Sequence, residues 1–204
     1  MAGLALALIV VWVVVVGAAR GMLHARATGE TGVRLSDRPG SPQWWARATG
    51  TLGFVLLVLV PVAELAGLPA LAPLDIPALR AAGAVVVVLG IAGSVVSQSA
   101  MGSSWRADVD PAARTALVTG GPFRWVRNPI FTASAVVSVG VALMVPNALA
   151  LLMLVVMVMT YQIQVRLVEE PYLRRVHGDA YRGYSERVGR FIPLVGRERR
   201  RPSS

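Results

Sequence analysis

Ile130-Phe-Thr-Ala-Ser-Ala-Val-Val-Ser-Val-Gly-Val-Ala-Leu-Met-Val-Pro146-Asn147-Ala-Leu-Ala-Leu-Leu-Met-Leu-Val-Val-Met-Val-Met-Thr-Tyr161 contains two apolar runs separated by two residues. The first ends at Val145, and the second continues from Ala148 to about Leu167. Read as helices, the first is about 24 Å long at ~1.5 Å per residue, a short membrane span. Pro146-Asn147 breaks the run, and two helices joined by so short a turn must run antiparallel. The polar ends of this hairpin, near Asn128 and near Glu169, are therefore expected side by side on one face of the membrane.

On the N-terminal side, the hairpin is entered through Leu117-Val-Thr-Gly-Gly-Pro-Phe-Arg-Trp-Val-Arg-Asn-Pro-Ile-Phe131. Gly120 and Gly121 permit a tight backbone, Pro122-Phe123 fixes it, and Arg124 and Arg127 flank Trp125. Pro129 stands where a first helical residue belongs, with Asn128 before it as a possible N-cap. A polar loop ending on a helix N-terminus is a natural place to hold a polar ligand.

On the C-terminal side, Gln162, Arg166 and Glu169 are spaced to share one helical face, and Arg166 and Glu170 are i, i+4 partners. Polar groups this close to hydrocarbon are costly unless paired or wet, which marks the region as a functional site. Pro171 is expected to interrupt the helix. From Tyr172 the chain reads as short amphipathic helices, broken at His177-Gly178, with Asp179 capping a second piece through Val188. The tail from Arg197 to Ser204 has a disordered composition.

The remaining sequence sets the class. Hydrophobic residues make up 55% of the chain and mean hydropathy is +0.61, beyond the soluble range, and they come in long runs. Ala2 to Ala19 is read as a retained first span: Gly17-Ala18-Ala19 resembles a cleavage site, but no basic region precedes the apolar run. The second span runs from about Ala46 to Leu65, with Trp44 and Trp45 at its entry, Pro61 as a kink, and Glu64 reaching headgroups or water at its far end. The third runs from near Arg80 to about Met101. Its Gly90 and Ser94 form a small-residue pair that lets a neighbouring helix approach closely. Ser97, Gln98 and Ser99 either meet the interface or line a pocket. Asp110-Pro111, in the next loop, reads as a turn or a short-helix start.

All twenty cationic residues are arginine, and net charge is +9. Five arginines lie between spans one and two, four between spans three and four, and ten from Arg166 onward. The alternate connections hold none before Arg80. This one-sidedness predicts five spans, an outer N-terminus and a cytoplasmic C-terminus in the plasma membrane. It assigns the charge to anionic lipid and topology, not to nucleic acid. The absence of cysteine excludes disulfides and thiolate chemistry, and the absence of lysine excludes a Schiff base. His24 and His177 are too far apart in sequence to predict a metal site.

The fold expected is thus an all-α integral membrane protein. Residues 1–101 hold three spans, residues 102–193 hold the motif loop, hairpin and C-terminal helices, and residues 194–204 form a basic tail.

Leu117 to Phe131 resembles the L-V-T-x-G-P-Y-R-x-V-R-H-P-x-Y motif of integral membrane methyltransferases, the isoprenylcysteine carboxyl methyltransferase and phospholipid methyltransferase families. Glu169-Glu170, Leu173, His177-Gly178-Asp179-Ala180-Tyr181, Tyr184, Val188 and Arg190-Phe191-Ile192-Pro193 resemble the family's ending. The likeness covers roughly Trp105 to Pro193. It implies S-adenosylmethionine as cofactor, a lipophilic acceptor (isoprenoid, fatty acid or phospholipid) drawn from the bilayer, and membrane lipids as surroundings. It also implies cofactor contacts at Gly121, Pro122, Phe123, Arg127, Asn128, Pro129, Phe131, Glu169, Glu170 and Tyr181. Arg127 and Glu169 would act by positioning and charge. Asn128 replaces the family's His, Phe131 its following Tyr, and Thr115 a frequent upstream His, so no general base is evident. Two alternatives share these features: a non-catalytic membrane scaffold of the same fold, and an NADPH-dependent membrane reductase.

Overall fold

The computed structural model describes residues 1–18, 38–101 and 117–198. His24, Asp110-Pro111, Thr115 and most of the basic tail lie outside the described residues. Those described are all-helical, without strands. Helix α1 spans Ala2–Trp12 and continues as a π-turn, Val13–Ala18. Helix α2 spans Pro42–Leu65, α3 Pro77–Met101, α4 Pro129–Met144, α5 Ala148–Ile163 and α6 Glu170–Arg187, with a π-segment Gln164–Glu169 joining the last two. Three helical runs, α2, α3 and the one beginning at Ala148, are long and apolar enough to cross a membrane.

The second span starts four residues earlier than its apolar pattern, at Pro42. Ser41 caps it by accepting from Trp44 N at 3.2 Å, and Pro42 occupies the first turn, where a missing N–H costs nothing. Glu64 does not face water alone. Arg80 Nη1 donates to its Oε1 at 2.9 Å and to Met144 O at 3.3 Å, while Arg80 Nε reaches Asp75 at 2.7 Å. This cluster ties the ends of α2, α3 and α4 together on the side opposite the motif loop.

Small residues set the packing of α3 on α4. A Cβ on Gly90 would lie 2.7 Å from Val137 Cγ2, and one on Gly83 would lie 2.7 Å from both Gly140 O and Met144 N. The pair read from Gly90 and Ser94 is thus part of a longer seam through Gly83, Gly90 and Gly140. Gln98 Nε2 donates to Val16 O at 3.0 Å, so this polar turn of α3 holds the π-turn of α1. The core lies among all five apolar helices: Ala5, Leu57, Val60, Val87, Val137, Val141 and Met153 are fully buried.

The hairpin forms as its spacing requires. Asn147 caps α5 by accepting from Ala150 N at 3.1 Å, and its Nδ2 donates to Val60 O of α2 at 3.0 Å.

Candidate functional site

At the other end of the hairpin, Pro171 does not interrupt the helix. In an α-helix its ring would collide with the carbonyl four residues back, and it has no N–H to donate. The preceding turn is instead wound as the π-segment Gln164–Glu169, and helical backbone continues into α6. The break falls at Gly178, with φ 50 and ψ −122, so the two short amphipathic helices form one run bent at that glycine. The wider π-turns also rotate the expected polar face: Arg166 is exposed while Gln162 and Glu169 are half-buried.

The motif loop is built on a 3-10 turn, Gly121–Arg124. Gly121 holds φ +57 with Ala100 only 3.3 Å from its Cβ position, a place where any side chain would be strained. Phe123 is buried, and Tyr184 Oη donates to its carbonyl at 2.6 Å, anchoring the turn to α6. Tyr181, 1% exposed, packs edge-on against Tyr184 with centroids 6.2 Å apart.

Arg127 and Glu170 join the loop to the end of the hairpin. Arg127 Nη2 donates to Glu170 Oε1 at 2.9 Å, and both side chains are buried. Arg127 Nη1 donates to Ser185 O and Val188 O at 2.8 and 2.7 Å. Glu170 also takes both ends of Arg190, Nε at 2.7 Å and Nη2 at 3.1 Å, and Arg174 Nη2 at 3.1 Å. Its i, i+4 partner is therefore Arg174, not the exposed Arg166. Burial would raise the Glu170 carboxyl, but the bonds and charges of Arg190 and Arg127 outweigh it and hold it below its ordinary value.

Glu169 stands apart from this cluster. Gln164 Nε2 donates to its Oε1 at 3.1 Å, and burial pushes it up to about 7, with the Gln164 bond opposing and the Glu170 charge adding. The atoms Gln162 Oε1 and Arg127 Nε are buried without a hydrogen-bond partner.

Asn128 precedes α4, but its side chain caps nothing there. Its backbone N and Nδ2 both donate to Arg190 O at 3.1 Å. Pro129 is buried in the first turn of α4, and Phe131 packs on Tyr161 with centroids 5.5 Å apart, inside the hairpin. Of the sequence-derived set, the structure joins Arg127 directly to Glu170 and ties Asn128 to them through Arg190, whose carbonyl it holds. It links the turn of Gly121, Pro122 and Phe123 to Tyr181 through Tyr184, and directs Phe131 into the helix interface. Arg190 and Arg174 were missed as site residues. Arg190 stood in the quoted Arg190-Phe191-Ile192-Pro193 ending, but that spacing alone carries no hint that the side chain turns back twenty residues to Glu170.

Comparisons with known proteins bear on the fold and the family. A structure of the eukaryotic intramembrane Ras methyltransferase isoprenylcysteine carboxyl methyltransferase aligns with a TM-score of 0.55 and 22% identity, over 78% of this chain and 55% of that one. That is a likeness of fold, and the chain spans little more than half the length of the structure it matches. No curated protein matches it. The model of the phospholipid methyltransferase family matches residues 79–180, from the first turn of α3 through the motif loop and hairpin to beyond Gly178. Half the chain, including every element that builds the Arg127–Glu170 junction up to that point, falls within this match: the chain belongs to the phospholipid methyltransferase family.

Proposed function

We propose that the protein transfers a methyl group from S-adenosylmethionine to a lipophilic acceptor (isoprenoid, fatty acid or phospholipid) at the cytoplasmic face of the plasma membrane. In this reading α1 with its π-turn, α2, α3, α4 and α5 are five spans, with the N-terminus outside. The observation that carries the site is the contrast between two adjacent carboxylates. Glu170 is filled by three arginines, whereas Glu169, one residue earlier, accepts a bond from Gln164 and keeps unused acceptor capacity.

The residues present fit such a cofactor. Glu169 would accept from ribose hydroxyls or face the sulfonium, and the buried free Gln162 Oε1 is an acceptor on the same stretch of helix. Gly121, Pro122 and Phe123 would form a wall against the remainder, with Pro129 and Tyr181 as further contacts. When bound, the cofactor supplies an activated methyl group. Arg127, Asn128 and Glu170 hold the frame, and Glu169 supplies the charge. Exclusion of water by Phe123 and the hairpin would favour in-line displacement. An acceptor already ionised, such as a carboxylate, needs no general base, consistent with Asn128 in place of a histidine.

The test is transfer of label from S-adenosylmethionine, radiolabelled in its methyl group, to lipids extracted from membranes. The purified protein should label a lipid fraction, and Glu169→Ala should abolish the labelling while leaving the fold intact. Full labelling by Glu169→Ala would remove Glu169 from the mechanism.

A further inference from the structure

The turn from Val188 to Gly196 holds an uncommon backbone. Leu194 has φ +67 without being glycine, close to Gly196 at +73. A bulky residue in the left-handed region persists only where its surroundings impose it. Here they do. The carbonyls of Val188 and Gly196 accept from Arg127 Nη1 and Nη2, and those of Gly189 and Arg190 from the backbone N–H groups of Arg127 and Asn128. Phe191 O accepts from Thr132 Oγ1 at 2.9 Å. Within the turn, Arg190 N donates to Val195 O and Val195 N to Ile192 O.

These bonds also fix its depth. Thr132 lies in the first turn of α4, and Phe191 packs against the same apolar cluster that fills the helix bundle. The turn is therefore level with the beginning of an apolar helix. At that level Ile192, Leu194 and Val195 are 60%, 67% and 59% exposed. Trp125, 60% exposed beneath the Arg124 guanidinium, sits one residue before Val126, which bridges to Gly189. An aromatic with a cationic neighbour is the usual furniture of a membrane interface. Irregular backbone is tolerated near hydrocarbon only where its polar groups find partners or water, and here the carbonyls of Val188 to Ile192, Val195 and Gly196 are satisfied from within, while the tip stays at headgroup level. Arg197 follows, and the sequence continues with Arg199, Arg200 and Arg201, matching anionic headgroups.

We infer that Phe191–Val195 is a finger inserted in the cytoplasmic leaflet, seating Ile192, Leu194 and Val195 at the boundary of headgroups and acyl chains. Its occupant is the bilayer itself. Because the finger hangs from Arg127, Asn128 and Thr132, insertion and the Arg127–Glu170–Arg190 junction form one mechanical unit. The inference rests on the helices spanning a membrane and is independent of methyl transfer.

The chain has no cysteine, so single nitroxide labels can be placed at Leu194→Cys, Ile192→Cys and, as a water-facing reference, Arg182→Cys. In nanodiscs of phosphatidylcholine and phosphatidylglycerol, labels at 192 and 194 should relax more with oxygen than with a water-soluble nickel chelate. The label at 182 should show the reverse. Nickel dominating at either finger position would overturn the inference. So would shielding from both reagents with dipolar broadening, which would mark contact with a second copy of the chain. The position-192 label keeps the test valid should the strained position 194 not accept a label.

Discussion

Glu170 is 2% exposed and receives hydrogen bonds from Arg127, Arg174 and Arg190. Removing one partner of such a buried pair leaves the others uncompensated. Glu170→Ala should therefore lose ~3–5 kcal/mol of stability, read as a lowered midpoint of thermal unfolding in detergent. The stabilisation from Glu170 is complete above the ordinary carboxylate range and is lost as pH falls through its lowered value, because the folded state holds it ionised. Glu169 has the opposite sign. With its value pushed up to about 7, folding favours its neutral form, so its contribution is present at low pH and fades as pH rises through 7. The same titration should govern the ligand. Affinity for S-adenosylmethionine relative to its uncharged-sulfur product, S-adenosylhomocysteine, should climb as pH rises through about 7, where the carboxylate forms. Glu169→Gln should flatten that climb. A ratio in the parent protein that does not change with pH would place Glu169 away from the sulfur.

At the level of elements, the α3–α4 seam is the least forgiving contact. A methyl on Gly83 would meet the backbone of Gly140 and Met144, which cannot swing aside. At Gly53 of α2 the nearest atom, at 2.8 Å, is the flexible Met157 Sδ. Gly83→Ala should therefore cost ~1–3 kcal/mol by overpacking, while Gly53→Ala should cost markedly less, both read from unfolding in detergent. Much of this layer was legible in the sequence. Pro146-Asn147 dictated the hairpin, Gly90 and Ser94 marked the seam, and the Gly178 break followed from residue type. The π-segment was not legible, because Pro171 signals only that an α-helix cannot pass unchanged. Whether the chain stops or widens its preceding turn depends on packing around Val165 and Val168, which no local pattern records. The commitment of Glu170 to Arg190 was hidden for a related reason: the turn at Gly189–Gly196 that brings the guanidinium back is a tertiary feature.

For the whole molecule, the arginine asymmetry and the hairpin together predict that the motif loop, Glu169 and α6 share the cytoplasmic side, opposite the Glu64–Asp75–Arg80 cluster. In intact cells a membrane-impermeant maleimide should label Ala72→Cys and spare Arg182→Cys until the membrane is opened; the converse pattern would invert the topology. The central claim is that Glu169 and the motif loop hold an S-adenosyl cofactor. Calorimetric titration of the detergent-purified protein with S-adenosylhomocysteine, and separately with NADPH, tests it most directly. The account predicts saturable binding of S-adenosylhomocysteine alone, weakened tenfold or more, about 1.4 kcal/mol, by Glu169→Ala. Saturable binding of NADPH, or of neither ligand by folded protein, would contradict it.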